Sequence, residues 1–324
     1  MLLKLILMRV FAALWVLLAV SVFLFVAVET LPGDFASASA PRFVTADQIE
    51  AARERMGLNV APVVRYIDWI TRAVEGDFGT SWYSRQPIAD ILAERLGHTA
   101  LLAAFAGAIA VPFGFGLGVF SVIYRGSFAD RAITSGSLVA ISLPEFLVAY
   151  LLMAIFTIQF QVFDAFTVFT DDMSMANRLA AMALPAMALS IVAIAPVLRL
   201  TRASLINILA SPYVEMARLK GVSVLRIVLW HMLPNAIAPI VNAVVIVIAN
   251  LLAGAFVVEA IFSYPGIGVS MVSAVKFRDI PLVLSTGLIF ALFFVTLNLI
   301  ADVIAILADP KLRDGQDGSM PKRA

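Results

Sequence analysis

Six apolar stretches, each close to the length of a membrane crossing, constrain this chain more than anything else in it: about 10–28, 99–123, 133–159, 179–198, 236–258 and 282–308. A spanning helix needs roughly 20 mostly apolar residues, the number that carries a 1.5 Å rise across about 30 Å of hydrocarbon. Lipid offers no water to satisfy the backbone, so such stretches must be helical. Pro185 and Pro196 leave the division of the fourth stretch open, since prolines are tolerated in spans whose neighbours satisfy the freed carbonyls. The first stretch has a rival reading as a secretory signal, because Ala36-Ser37-Ala38 and Ala38-Ser39-Ala40 resemble cleavage sites. Its apolar core exceeds the roughly 7–15 residues of a signal sequence, so it reads as an uncleaved anchor.

Composition agrees. Hydrophobic residues make up 62% of the 324 and charged residues 14%, against about 45–50% and about 25% in soluble domains. A soluble chain of this kind would expose large apolar patches. A net charge of +1 gives no field that would hold nucleic acid. The absence of cysteine removes disulfides, thiolate nucleophiles and sulfur-ligated metal. His98 and His231 are the only histidines and lie far apart, so no metal centre is expected. His98 reads as a residue at the start of a helix.

Basic residues set the orientation, because short loops rich in Lys and Arg stay in the cytoplasm. The 199–231 stretch carries Arg199, Arg202, Arg218, Lys220 and Arg226 against Glu215, and the tail carries Lys311, Arg313, Lys322 and Arg323. Arg125 and Arg131 flank the loop after the second span, whereas Asp164, Asp171 and Asp172 face Arg178 in the 160–178 loop. Six spans then put both termini in the cytoplasm. The chain divides into a tail and first span (1–30), an extracytoplasmic helical segment (31–95), a transmembrane domain holding spans two to six (96–308) and a cytoplasmic tail (309–324). In the outer segment Thr45 and Gln48 fit a capping box. That helix should stop near Gly57, and a second should run from Pro62 to Val74 with Val63, Tyr66, Ile67 and Ile70 on one face.

The 199–235 loop carries the most specific pattern. Ser211 suits an N-cap, Pro212 the first helical position and Gly221 a C-terminal stop. Arg218 and Lys220 complement the dipole in the last turn. So short a helix is not stable alone in water. It docks into a partner or lies on lipid headgroups, and the residues alone leave both readings open.

Glu215, Ala217, Gly221, Leu233 and Pro234 resemble the "EAA" loop of permeases from ATP-binding cassette (ABC) importers. Met216 stands in place of an alanine and His231 in place of isoleucine, departures at home in the dipeptide, oligopeptide and nickel branch. That branch is also resembled by Tyr213 to Gly221, His231 to Asn235, Leu31-Pro32-Gly33-Asp34, Gly76 to Ser81, Val258 to Gly268 and Asp309 to Arg313.

The resemblance implies an all-α integral membrane chain of six transmembrane helices with the type I permease fold, in a bacterial inner membrane. It implies a permease subunit that is not itself an enzyme, moving a dipeptide or oligopeptide, or otherwise nickel, a sugar or another small solute. The partners implied are a second homologous permease, two cytoplasmic ATPases holding ATP and Mg, and an extracytoplasmic solute-binding protein; no nucleic acid and no cofactor bound by this chain are implied. Tyr213, Glu215, Met216, Ala217, Arg218, Lys220 and Gly221 would form the helix that couples to the ATPase, with Ala217 and Gly221 allowing close approach. The missing Gly-x4-Gly-Lys-Ser/Thr loop agrees with an ATPase on another chain. An ion-coupled secondary transporter is the alternative of a different class, against which stand the lack of an evident repeat and the scarcity of ionisable residues in the spans. Asn242, Asn250, Asn298 and Asp302 are path or interhelical polar residues, and Glu259, Tyr264, Pro265 and Gly266 read as the outer mouth.

Overall fold

The computed structural model describes residues 2–30, 45–170 and 172–308. The stretches at 31–44 and 309–324 and Asp171, with the motifs and tail charges they carry, lie outside the described residues. Among the described residues five helices are long and apolar enough to cross a membrane, and six crossings result when a bent pair counts as one span. The long helices are α1 (Leu2–Glu29), α4 (Ile88–Ile123), α8 (Ala183–Leu209), α10 (Leu233–Ile261) and α12 (Ile280–Ala308).

Between α1 and α4 lie α2 (Ala46–Arg55) and α3 (Pro62–Val74). Gln48 Oε1 accepts the Thr45 N–H at 3.2 Å, the return bond of the capping box, and Gly57 ends the turn after α2 at φ 67°. α3 packs on α1 through Tyr66, whose ring meets Phe25 at 5.4 Å and whose hydroxyl lies 3.0 Å from Ser21 Oγ. Arg65 pairs with Glu29. The contact face differs from the expected one: Val63 and Ile67 are 69% and 56% exposed, because the aromatic side chains of α3 reach α1 instead.

α4 starts at Ile88, within the stretch assigned to the outer segment, and so extends the second span by several turns. The extension is held because Ile88 and Leu92 bury against Ala274, Leu282 and Val283. The third crossing is not one helix. α5 (Phe128–Ser142) and α6 (Glu145–Leu152, continued by a π-helical stretch Met153–Gln159) meet at 104°. Pro144 lacks an N–H and drives Leu143 to ψ 127°, outside the helical region.

After the short α7 (Met175–Ala181), α8 is continuous through Pro185 and Pro196 and extends past its expected end at 198. Arg199 and Arg202 are therefore helical, and the loop begins only after Leu209. Arg202 makes a 3.1 Å ion pair with buried Asp130 of α5, which also accepts the Gly126 N–H at 2.9 Å. The small helix α9 (Pro212–Leu219) follows, then a turn at Val224–Arg226 and a π-helical run Ile227–Met232 leading into α10. α11 (Ile267–Lys276) connects α10 to α12.

α4 and α8 cross without clearance. A Cβ at Gly114 would come 2.7 Å from Val197 Cβ, and one at Gly118 2.8 Å from Thr201 Cβ. Small residues four apart let membrane helices approach in this way, where dispersion replaces the hydrophobic drive. The main core lies around this crossing and joins Leu102, Leu189, Val197, Leu251, Val258 and Phe262. α12 lies against α1, with Arg9 reaching Asp302 at 2.7 Å.

Candidate functional site

The residues singled out by sequence fall at two opposite ends of the bundle, with four amides and acids between. At one end α9 has both of its predicted boundaries. Ser211 takes N-cap dihedrals of φ −75° and ψ 141°, though its hydroxyl makes no cap bond. Gly221 sits at φ 74°. Its N–H reaches Arg218 O at 2.9 Å, and the Val222 N–H reaches Ala217 O at 3.1 Å. This pair of bonds is the stop that a left-handed glycine provides.

One side chain fixes α9 to the bundle. Val214 is fully buried among Val119, Leu205, Ile227 and Met232. Ala217 is half-buried against the same cluster, so its small size also serves packing within the chain. Tyr213, Glu215, Met216, Arg218, Lys220 and Gly221 are exposed. Met216 is 54% exposed and Leu219 77%. Leu219 escaped the motif reading, although it lies one turn from Met216 and continues its apolar stripe. Trp230, 75% exposed on the neighbouring π-helical run, escaped it too.

At the other end Glu259, Tyr264, Pro265 and Gly266 do come together, but inward. Glu259, Tyr264 and Gly266 are buried. Glu259 Oε2 accepts the Gly268 N–H at 2.7 Å. A Cβ at Gly268 would overlap the Phe256 carbonyl, so that glycine is obligatory, whereas one at Gly266 would have to displace the Glu259 carboxylate. The Tyr264 hydroxyl donates to His98 O at 2.8 Å, and burial, with the nearby Glu259 carboxylate, pushes its phenol up. His98 Nδ1 lies 2.8 Å from Pro265 O, and the Ile267 N–H donates to Thr99 Oγ1 at 2.9 Å. His98 is thus not at the start of a helix: it sits well inside α4 and ties α4 to the turn between α10 and α11.

A second knot at this end explains the Gly76–Ser81 motif. Buried Asp279 accepts from Ser81 Oγ and from the N–H groups of Trp82 and Tyr83, each at 3.1 Å. Asp77 accepts the Gly79 N–H at 2.9 Å and pairs with Arg72 at 2.8 Å. The Gly79 N–H and the Arg72 guanidinium together hold the Asp77 carboxyl below the usual carboxylate range.

The four polar span residues are not gathered. Asn298 donates to Phe294 O of its own helix at 2.8 Å, Asp302 pairs with Arg9, Asn242 is half-buried and Asn250 is exposed. The sequence reading missed Thr99, Asp130, Glu145 and Asp279. Asp130 could have been found, because Ser127 followed by Asp130 is a helix-start pattern and Ser127 Oγ does accept the Asp130 N–H at 3.2 Å.

Residues 110–314 match the family described as binding-protein-dependent transport system inner membrane component, and residues 2–103 match its N-terminal companion. Relatives are similar along nearly their whole length. A protein of Sinorhizobium fredii named as a peptide ABC transporter permease is 30% identical over 95% of this chain and 98% of its own. The glutathione transport system permease of Escherichia coli strain K12 is 35% identical over 92% of this chain and 94% of its own. Among solved structures, an inward-facing MetNI methionine ABC transporter aligns with a TM-score of 0.52 at 16% identity, covering 69% of this chain and 99% of that one. That likeness shows a shared fold.

Proposed function

This chain belongs to the family of binding-protein-dependent transport system inner membrane components, and from that premise we propose that it forms the path for a peptide-like solute, driven by ATP hydrolysed on a partner chain. It is a multi-pass inner-membrane permease subunit of an ABC importer. Peptide and glutathione permeases among its relatives favour a dipeptide or oligopeptide cargo. The family description itself implies a solute-binding protein on the outer side.

The observation that carries the mechanism is the construction of α9. A helix too short to persist alone is anchored by Val214 and turns Tyr213, Met216 and Leu219 outward beside Glu215, Arg218 and Lys220. Apolar anchors ringed by charge suit a groove on another protein. In this reading α9 seats in a cytoplasmic ATPase that holds ATP and Mg, and both termini share that side. A rigid anchor passes the movement of the ATPase to α8 and α10, which flank α9. A second, homologous permease closes the path, and the end bearing Tyr264 faces the solute-binding protein.

The test is peptide uptake into proteoliposomes, with and without the ATPase subunits. ATP-dependent uptake that vanishes without them is expected. Uptake that continues on an ion gradient alone would mean a secondary transporter. Met216→Asp should abolish coupling while the protein stays folded. Ala217→Asp is a poorer probe, since Ala217 also packs inside the chain.

A further inference from the structure

Glu145, at the break in the bent pair α5–α6, is a carboxylate with no partner of its own among the described residues. Glu145 opens α6 directly after the break at Leu143–Pro144. α5 runs 15 residues before that break, roughly 22 Å at 1.5 Å per residue, and Glu145 meets Gly254 in the half of the apolar helix α10 nearer Tyr264. Its side chain lies on α10 at Gly254. A Cβ there would stand 2.5 Å from Oε2 and 2.7 Å from Oε1 of the carboxylate, so a glycine is what makes room for the acid. Among the described residues no hydrogen bond or ion pair reaches this carboxylate. The start of a helix favours negative charge, yet the Glu145 oxygens accept none of the free N–H groups of α6.

An ionisable group at this depth is costly and marks a pathway or a partner. One further polar group is exposed a turn away: Asn250 precedes Gly254 by one turn on the same face of α10. Gly254 itself is buried beneath the carboxylate, while Glu145 is half-buried and Asn250 exposed in a single chain. An unpaired carboxylate in a poorly solvated setting attracts a cation. A divalent metal would ask for several oxygen or nitrogen donors, and no group of three acids or histidines is gathered among the described residues. An organic ammonium needs only the carboxylate and one or two neutral acceptors.

We propose that Glu145 receives the ammonium group of the solute as it passes, while Asn250, one turn nearer α9, offers its amide to the solute's backbone. This rests on the reading of the chain as a peptide importer. It places charge selection in the permease as well as in the binding protein.

The experiment uses the complete importer in proteoliposomes at saturating binding protein, with a mixture of radiolabelled dipeptides and tripeptides as the probe. Glu145→Gln should lower ATP-driven uptake at least tenfold, and Glu145→Asp should restore a third or more of it, with both variants still copurifying with the second permease. Uptake by Glu145→Gln equal to wild type would overturn the proposal and leave the importer reading standing. Failure of Glu145→Gln to copurify would also overturn it, by assigning the carboxylate to a contact between subunits. If the wild-type complex took up no peptide with ATP, the importer reading would fall and this inference with it.

Discussion

The knot around Tyr264 and the loop helix α9 sit at opposite ends of the bundle and use their polar groups in opposite ways. Around Tyr264 each hydrogen bond closes on the chain itself: His98 to Pro265, Tyr264 to His98, Ile267 to Thr99 and Gly268 to Glu259. At α9 one buried valine makes the attachment, and most remaining side chains point away. The first is a joint made within the chain that fixes α4, α10 and α11 to one another. The second leaves its outward face open, the feature on which the proposed docking of an ATPase rests. A machine that takes force at one end needs that asymmetry, because a push on α9 moves spans only if they are tied elsewhere.

The contrast can be broken by substitution, from the largest effect to the smallest. Gly268→Val should cost more than about 3 kcal/mol, since its side chain would overlap the Phe256 carbonyl, and monodisperse protein should be lost in size-exclusion chromatography. Val214→Asp places an unpaired charge in the cluster that seats α9 and should destabilise by about 3 kcal/mol, loosening that end while amide protection near Tyr264 persists. His98→Ala leaves Pro265 O unpaired and should cost about 1–3 kcal/mol, seen as a lower Tm in detergent. Gly221→Ala forces a side chain into φ 74° and should cost about 1 kcal/mol. Met216→Asp should change stability by less than about 0.5 kcal/mol and yet remove uptake. If Met216→Asp proved as destabilising as His98→Ala, the two ends would not differ as described.

What could be read from the sequence was local. The limits of α9 follow from Pro212 and Gly221, whose backbone preferences act within a few residues. The crossings follow from hydropathy summed over whole stretches. The break at Leu143–Pro144 obeys an equally local rule, but the apolar run around it hid both the break and Glu145. The knots were not legible, because His98 meets residues 166 and 167 positions away and Ser81 meets Asp279 across 198. Nor does charge mark the end of a helix: Arg202 stays in α8 because Asp130 of α5 pairs with it.

The central claim is that α9 is the socket for a separate ATPase, and the absence of cysteine from the chain allows a direct test by cross-linking. In the assembled importer, a single cysteine placed by Met216→Cys should cross-link to the ATPase subunit. One placed by Tyr83→Cys, exposed at the opposite end, should not. No ATPase adduct at position 216, or equal adducts at both positions, would contradict the account.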